Sequence, residues 1–155
     1  MTLNFAVAER QAGEHLKLLE LCYRYAFLAG RRAAGLSLSA AHDHELELLS
    51  HLFEGDPKHR RRLHRRFPLV LHGVVKTPTG LCSAMVLNLS GHGMYVITTR
   101  EVEPGETVQV KIGRPGEVEY LFTCTVVRST TRNGVTVGLG LSFCCVPLEM
   151  RRRAA

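Results

Sequence analysis

Hydrophobic residues in the first third of the chain recur at helical spacing and predict two amphipathic helices. Residues 4–34 contain no proline, and their apolar positions follow the i, i+3, i+4 rhythm of one helix face. From Ser39 to Phe53 a second run places leucines on one side, with Ser39 as the expected N-cap. A Gly-Asp-Pro sequence at 55–57 then ends it. We therefore expect a helical hairpin.

This hairpin cannot bury its apolar stripe by itself. The stripe of the first helix consists of Leu18, Leu21, Cys22, Tyr25 and Leu28. It must pack either on the rest of the chain or on a second copy, and the sequence leaves both arrangements open. Residues 1–55 carry no recognisable chemistry, so we interpret them as a structural or interaction module.

From residue 67 the pattern changes to short β-rich runs separated by turn residues. Six runs are predicted as strands: 67–75, 81–88, 94–98, 107–112, 118–128 and 135–143. Asn133-Gly134 between two such runs is a strong signal for a two-residue hairpin. Six short strands without intervening helices favour a closed antiparallel barrel. The predicted α+β chain has a helical extension at 1–57, an arginine-rich linker at 58–66, and the barrel with a basic C-terminal tail at 67–155.

Composition excludes several classes of protein. A chain of 155 residues with 45% apolar residues is long enough for a globular core. No apolar stretch reaches the 18 or so residues of a membrane span, and the N-terminus does not resemble a secretory signal. The five cysteines form no C-x-x-C pair, and the histidines lack ligand spacing. We expect a cytoplasmic protein with reduced thiols, no metal and no cofactor.

An enzyme is not expected. The sequence has no serine–histidine–acid order, no zinc-protease helix motif and no phosphate-binding P-loop. The few carboxylates of the barrel region lie near predicted turns, as solvated surface charges do.

Two clusters remain as candidate binding elements. Residues 1–57 have a net charge of −3, whereas residues 58–155 have +9, and six positive charges fall within residues 58–66. Arginine pairs bidentately with phosphate and stacks on flat rings, so this run suits an anionic ligand. The second cluster is the turn from Asn88 to Gly93, whose glycines let a ligand approach the backbone. By itself, this is an ordinary tight turn.

Together the two clusters resemble the PilZ domain, a family of bacterial receptors for the second messenger cyclic di-GMP. The R-x-x-x-R motif before the first strand is met in two registers, Arg61/Arg65 and Arg62/Arg66. The [D/N]-x-S-x-x-G motif is met by Asn88, Ser90 and Gly93. The glycine-containing run at 135–143, which ends in Phe, is similar to the closing strand of the family. The resemblance covers residues 58–146.

The resemblance implies a binding site and a switch. Cyclic di-GMP would be clamped by the linker arginines Arg61, Arg62, Arg65 and Arg66 and would rest on Asn88, Ser90 and Gly93. Ordering of the linker would then rearrange the N-terminal helices, by self-association or through a protein partner bound by residues 1–55. The register, the oligomeric state and the ligand stoichiometry stay open.

Two other functions are weighed against this one. The basic charge would also serve a barrel that binds single-stranded nucleic acid. Such barrels stack bases on exposed aromatic residues, whereas core packing explains the aromatics predicted in strands here: Tyr95, Tyr120, Phe122 and Phe143. The second alternative is a PilZ-like adaptor that acts without ligand, which the intact motifs disfavour.

Overall fold

Two helices precede seven strands in the computed structural model, which describes residues 2–54, 65–114 and 116–151. The elements are α1 (Thr2–Ala33), α2 (Ala40–Phe53), β1 (Phe67–Thr77), β2 (Gly80–Leu89), β3 (Gly93–Thr98), β4 (Thr107–Gly113), β5 (Val118–Arg132), β6 (Thr136–Phe143) and β7 (Leu148–Arg151). Neither described helix is long and apolar enough to cross a membrane.

Strands β1 to β6 form a closed antiparallel barrel in the order β1-β2-β3-β6-β5-β4. Closure depends on β4, which pairs with β1 on one side and with β5 on the other. Alternating burial along strands such as β4 and β5 places one face of the sheet inside the barrel. The predicted barrel and the preceding helical hairpin are therefore confirmed.

Strand β7 was not predicted from the sequence. It pairs with the first residues of β5, where Leu148 lies opposite Leu121 and Arg151 lies opposite Val118. A four-residue run that alternates apolar and charged residues is too short to be recognised as a strand by its pattern. The pairing exists because β6 ends at Phe143, and the chain then continues alongside the part of β5 that β6 leaves free.

The helical hairpin is held by a cap and an ion pair. The side chain of Ser39 accepts a hydrogen bond from the His42 amide at 3.1 Å, which confirms Ser39 as the N-cap of α2. Arg24 of α1 contacts both carboxylate oxygens of Glu45 of α2, with 2.7 Å between Nη2 and Oε2. This pairing lowers the pKa of Glu45 and raises that of Arg24.

One hydrophobic core unites the helices with the barrel. Leu19 and Leu28 of α1 and Phe53 of α2 are buried in the same cluster as barrel residues such as Val86 and Leu139. The helices cover the end of the barrel where β1 and β3 begin and β2 ends. The apolar stripe thus packs on the chain's own barrel, which is the first of the two arrangements that the sequence left open.

Because Phe53 is fully buried between helix and barrel, Phe53→Ala is expected to lower the free energy of unfolding by about 3 kcal/mol or more. Leu48→Ala in the same helix is the matched control, since Leu48 is 58% exposed. We expect this control to change the free energy of unfolding by about 0.5 kcal/mol at most. Urea denaturation followed by circular dichroism compares the two. Equal losses would contradict the observed docking of α2.

Candidate functional site

The candidate site lies where the chain enters β1 beside the turn between β2 and β3. Arg61 and Arg62 lie outside the described residues. The other five predicted residues are described: Arg65 and Arg66, exposed and directly before β1; Asn88, half-buried near the end of β2; Ser90, half-buried in the turn; and Gly93, buried at the start of β3.

Strand pairing brings the end of the arginine-rich linker to this turn. Phe67 lies opposite Leu89, and Pro68 lies opposite Asn88. Since the two strands run antiparallel, Arg66 continues past the last pair on the side where Ser90 begins the turn. The two clusters, separated in sequence by strands β1 and β2, therefore meet at one end of one strand pair. Neither Arg65 nor Arg66 forms an ion pair with a described carboxylate.

The hydroxyl of Ser90 holds the turn closed. Its Oγ accepts hydrogen bonds from the amides of His92 at 3.2 Å and Gly93 at 3.1 Å. It also donates to the carbonyl oxygen of Gly93 at 3.3 Å, an oxygen that already accepts from the Ser90 amide at 2.9 Å. The hydroxyl proton can therefore turn towards a ligand while the backbone bond keeps the turn closed.

Gly93 is required by the barrel itself. A Cβ at this position would overlap the carbonyl oxygen of Leu141, because β3 and β6 approach closely where Gly93 pairs with Ser142. The glycine of the motif thus has a structural role, whatever the ligand contacts.

Helix α1 covers the tip of the same turn. The Tyr25 ring lies so close to Gly91 that a Cβ there would overlap it, and the same ring meets His92 edge-on at 6.1 Å between centroids. The Cys22 thiol donates to the Ser90 carbonyl oxygen at 3.2 Å. Burial raises the pKa of this thiol to about 12, so it remains protonated and able to donate at neutral pH.

Helix α2 contacts the other half of the site. The Arg65 amide donates to the carbonyl oxygen of Phe53 at 3.0 Å, and the Phe53 ring meets the Phe67 ring edge-on at 5.6 Å. Phe53 also stacks on Tyr25, with 5.2 Å between ring centroids. Through this aromatic pair, the helices touch both the linker end and the β2–β3 turn.

The prediction that Tyr95 belongs to the core was wrong. Its neighbours Met94 and Val96 are buried, so the alternation of β3 places Tyr95 on the outer face of the barrel, where it is half-buried. Tyr95 lies opposite Asn88 in the β2–β3 pair. It also contacts the guanidinium of Arg128, a residue that was not singled out from the sequence. The two-residue alternation of β3, in which Met94 and Val96 face the core, is the sequence signal that would have placed Tyr95 on the outer face.

A groove of about 930 Å³ lies elsewhere, between α1 and the β4–β5 connection. It contains none of the predicted ligand residues, and its charged lining has both signs: Lys17, Glu20, Arg24, Arg114, Glu117 and Glu149. The groove therefore offers no selective site for an anion. The arginine and turn clusters remain the better candidate.

Comparison with known proteins gives a family for the whole barrel region. The family model of the PilZ domain matches residues 60–155. Among solved structures, that of the Bacillus subtilis inhibitor of motility (MotI/DgrA) is similar at 16% sequence identity and a TM-score of 0.43. The match covers 56% of this chain and 47% of that one, so it spans less than half of the bacterial inhibitor. A search of curated proteins found no match.

Gly93→Ala is expected to destabilise the protein without any ligand, because the new methyl group would overlap the Leu141 carbonyl oxygen. Gly13→Ala in α1 is the control, since nothing lies within 4 Å of a Cβ there and alanine favours the helix. Thermal unfolding should show a lower midpoint for the first variant only. An unchanged midpoint for Gly93→Ala would show that the close approach of β3 and β6 is not required.

Proposed function

Since the chain belongs to the PilZ domain family, we propose that it is a receptor for cyclic di-GMP. Binding of the ligand changes the arrangement of the N-terminal helices or of a protein partner that they bind. The ligand is clamped by the linker arginines and rests on the β2–β3 turn. The observation that carries this proposal is the strand pairing that brings Arg66 to Ser90. PilZ domains are binding domains, and the match indicates no enzymatic family.

The chemistry of the two clusters suits a cyclic dinucleotide. Each phosphodiester carries one negative charge, and an arginine fork pairs with two of its oxygens. Arg65 and Arg66 are exposed and form no ion pair with a described carboxylate, so their charges are available for such pairing. Asn88 and the Ser90 hydroxyl offer neutral donors and acceptors for the edge of a guanine base. Arg61 and Arg62 would complete the clamp.

Titration calorimetry with cyclic di-GMP at moderate salt tests the binding site. Arg66→Ala is expected to weaken binding about 10- to 100-fold, because it removes charge-assisted hydrogen bonds to phosphate. Asn88→Ala should weaken it less, since the lost bonds are neutral. Arg132→Ala removes the same charge at the far end of β5 and should leave the affinity unchanged.

The same titration separates this function from its competitors. Salt-sensitive binding of a short single-stranded RNA, with none of cyclic di-GMP, would favour a nucleic-acid-binding barrel. The absence of binding to either ligand would favour an adaptor that acts without ligand. Equal losses from Arg66→Ala and Arg132→Ala would indicate a general effect of charge rather than a clamp.

Contacts at both halves of the site support coupling to the helices. A ligand clamped by the arginines acts on Arg65, whose amide is bonded to the Phe53 carbonyl oxygen. A ligand on the turn acts on Ser90, whose carbonyl oxygen is bonded to the Cys22 thiol. Phe53 and Tyr25 stack on each other, so either displacement reaches both helices. A packed contact of this kind supports a switch between discrete arrangements.

Amide hydrogen exchange tests this coupling. Cyclic di-GMP is expected to change the exchange of residues 22–25 of α1 and 50–54 of α2, because their contacts include both halves of the site. The β5–β6 hairpin around Asn133, at the opposite end of the barrel, serves as the internal control and should be unaffected. Changes confined to the linker and the β2–β3 turn would refute coupling while leaving the binding proposal intact.

A further inference from the structure

One row of residues crosses the outer face of the barrel beside the candidate site. Asn88 of β2 lies opposite Tyr95 of β3, Tyr95 lies opposite Gly140 of β6, and Gly140 lies opposite Arg128 of β5. Side chains directly opposite one another in an antiparallel pair have Cβ atoms about 5 Å apart. A ligand that contacts Asn88 therefore reaches Tyr95 without any movement of the strands.

The glycines of β6 let two long side chains meet across that strand. A Cβ at Gly138 would overlap the hydroxyl of Tyr95, and a Cβ at Gly140 would lie 2.9 Å from Cγ of Arg128. Tyr95 thus extends over β6 from one side, and its hydroxyl lies 3.4 Å from Oγ1 of Thr130 in β5. Arg128 extends over β6 from the other side. The two side chains form one surface that spans three strands.

This surface is partly exposed and cationic. The Arg128 guanidinium carbon lies 5.8 Å from the centroid of the Tyr95 ring, within the range of a cation–π contact. Arg128 is exposed and makes no ion pair with a described residue. A phenol ring and a guanidinium plane are both surfaces on which nucleobases stack.

We propose that Tyr95 and Arg128 form a stacking platform for one guanine base of cyclic di-GMP, an inference that rests on the proposed function. Arg66 and Asn88 hold the phosphate and the base edge at one end of the row, and the platform holds a base face further along it. The platform adds affinity through stacking. It distinguishes a nucleotide from a simple anion, which the arginine-rich linker alone does not.

The absence of tryptophan from the chain makes tyrosine fluorescence a direct readout of this contact. In the wild type, cyclic di-GMP is expected to quench part of the tyrosine emission when a base stacks on Tyr95. Tyr95→Phe keeps the stacking ring, so calorimetry should give an unchanged Kd while that part of the quenching is lost. The same variant also controls for absorption of light by the ligand, because this absorption is identical in the two titrations.

Two further variants test the energetic contribution. Tyr95→Ala and Arg128→Ala are each expected to raise the Kd for cyclic di-GMP about tenfold. Arg132→Ala, on the same strand and equally charged, should not change it. Arg128 is exposed, so its variant keeps the test valid if Tyr95→Ala impairs folding.

The outcomes separate the platform from the receptor function. If the wild type binds cyclic di-GMP and Tyr95→Ala and Arg128→Ala bind it with the same affinity, the platform is overturned and the receptor function stands. Quenching as strong in Tyr95→Phe as in the wild type would also overturn it, because the whole signal would then come from other tyrosines. The absence of cyclic di-GMP binding to the wild type would overturn both proposals.

Discussion

The burial of Phe53 is the contact on which the arrangement of helices and barrel depends. Its ring is fully buried, stacks on Tyr25 of α1 and meets Phe67 of β1, while its carbonyl oxygen accepts the Arg65 amide. The end of α2 and the start of β1 therefore lie next to each other. Strand pairing places the end of the arginine-rich linker beside the β2–β3 turn, and apolar burial of Phe53 holds both helices against it, so the surroundings of the candidate site depend on the core beneath it.

Folding and recognition share residues in the turn. Ser90 uses its hydroxyl to close the turn, and Gly93 is small because β6 runs directly against it. The barrel requires both residues even without a ligand. Asn88 differs, since its side chain lies on the outer face opposite Tyr95 and is not needed to close the turn. Evidence for recognition in this site must therefore come from the arginines and the outer row rather than from the turn itself.

The candidate site was predicted in part. The motif residues of the turn were singled out from the sequence because, together with the arginine-rich run before β1, they match the two motifs of the PilZ family; the turn alone is a weak signal. Tyr95 was misplaced in the core because an aromatic residue in a β-rich run suits either face. Arg128 was missed because nothing near it in the sequence marks it. Its relation to Tyr95 arises only when β6 lies between β3 and β5 and carries glycines at the crossing.

Local patterns determined much of this protein: the two helices with the Ser39 cap, the six barrel strands, and the pairing of a basic run with a polar turn. These follow from periodicity, capping and turn chemistry, which act between residues a few positions apart. Tertiary structure decided the rest: β7, the packing of the helical stripe on the chain's own barrel, and the outward row from Asn88 to Arg128. A periodic sequence shows which side chains share a face, but only long-range strand pairing decides what that face meets.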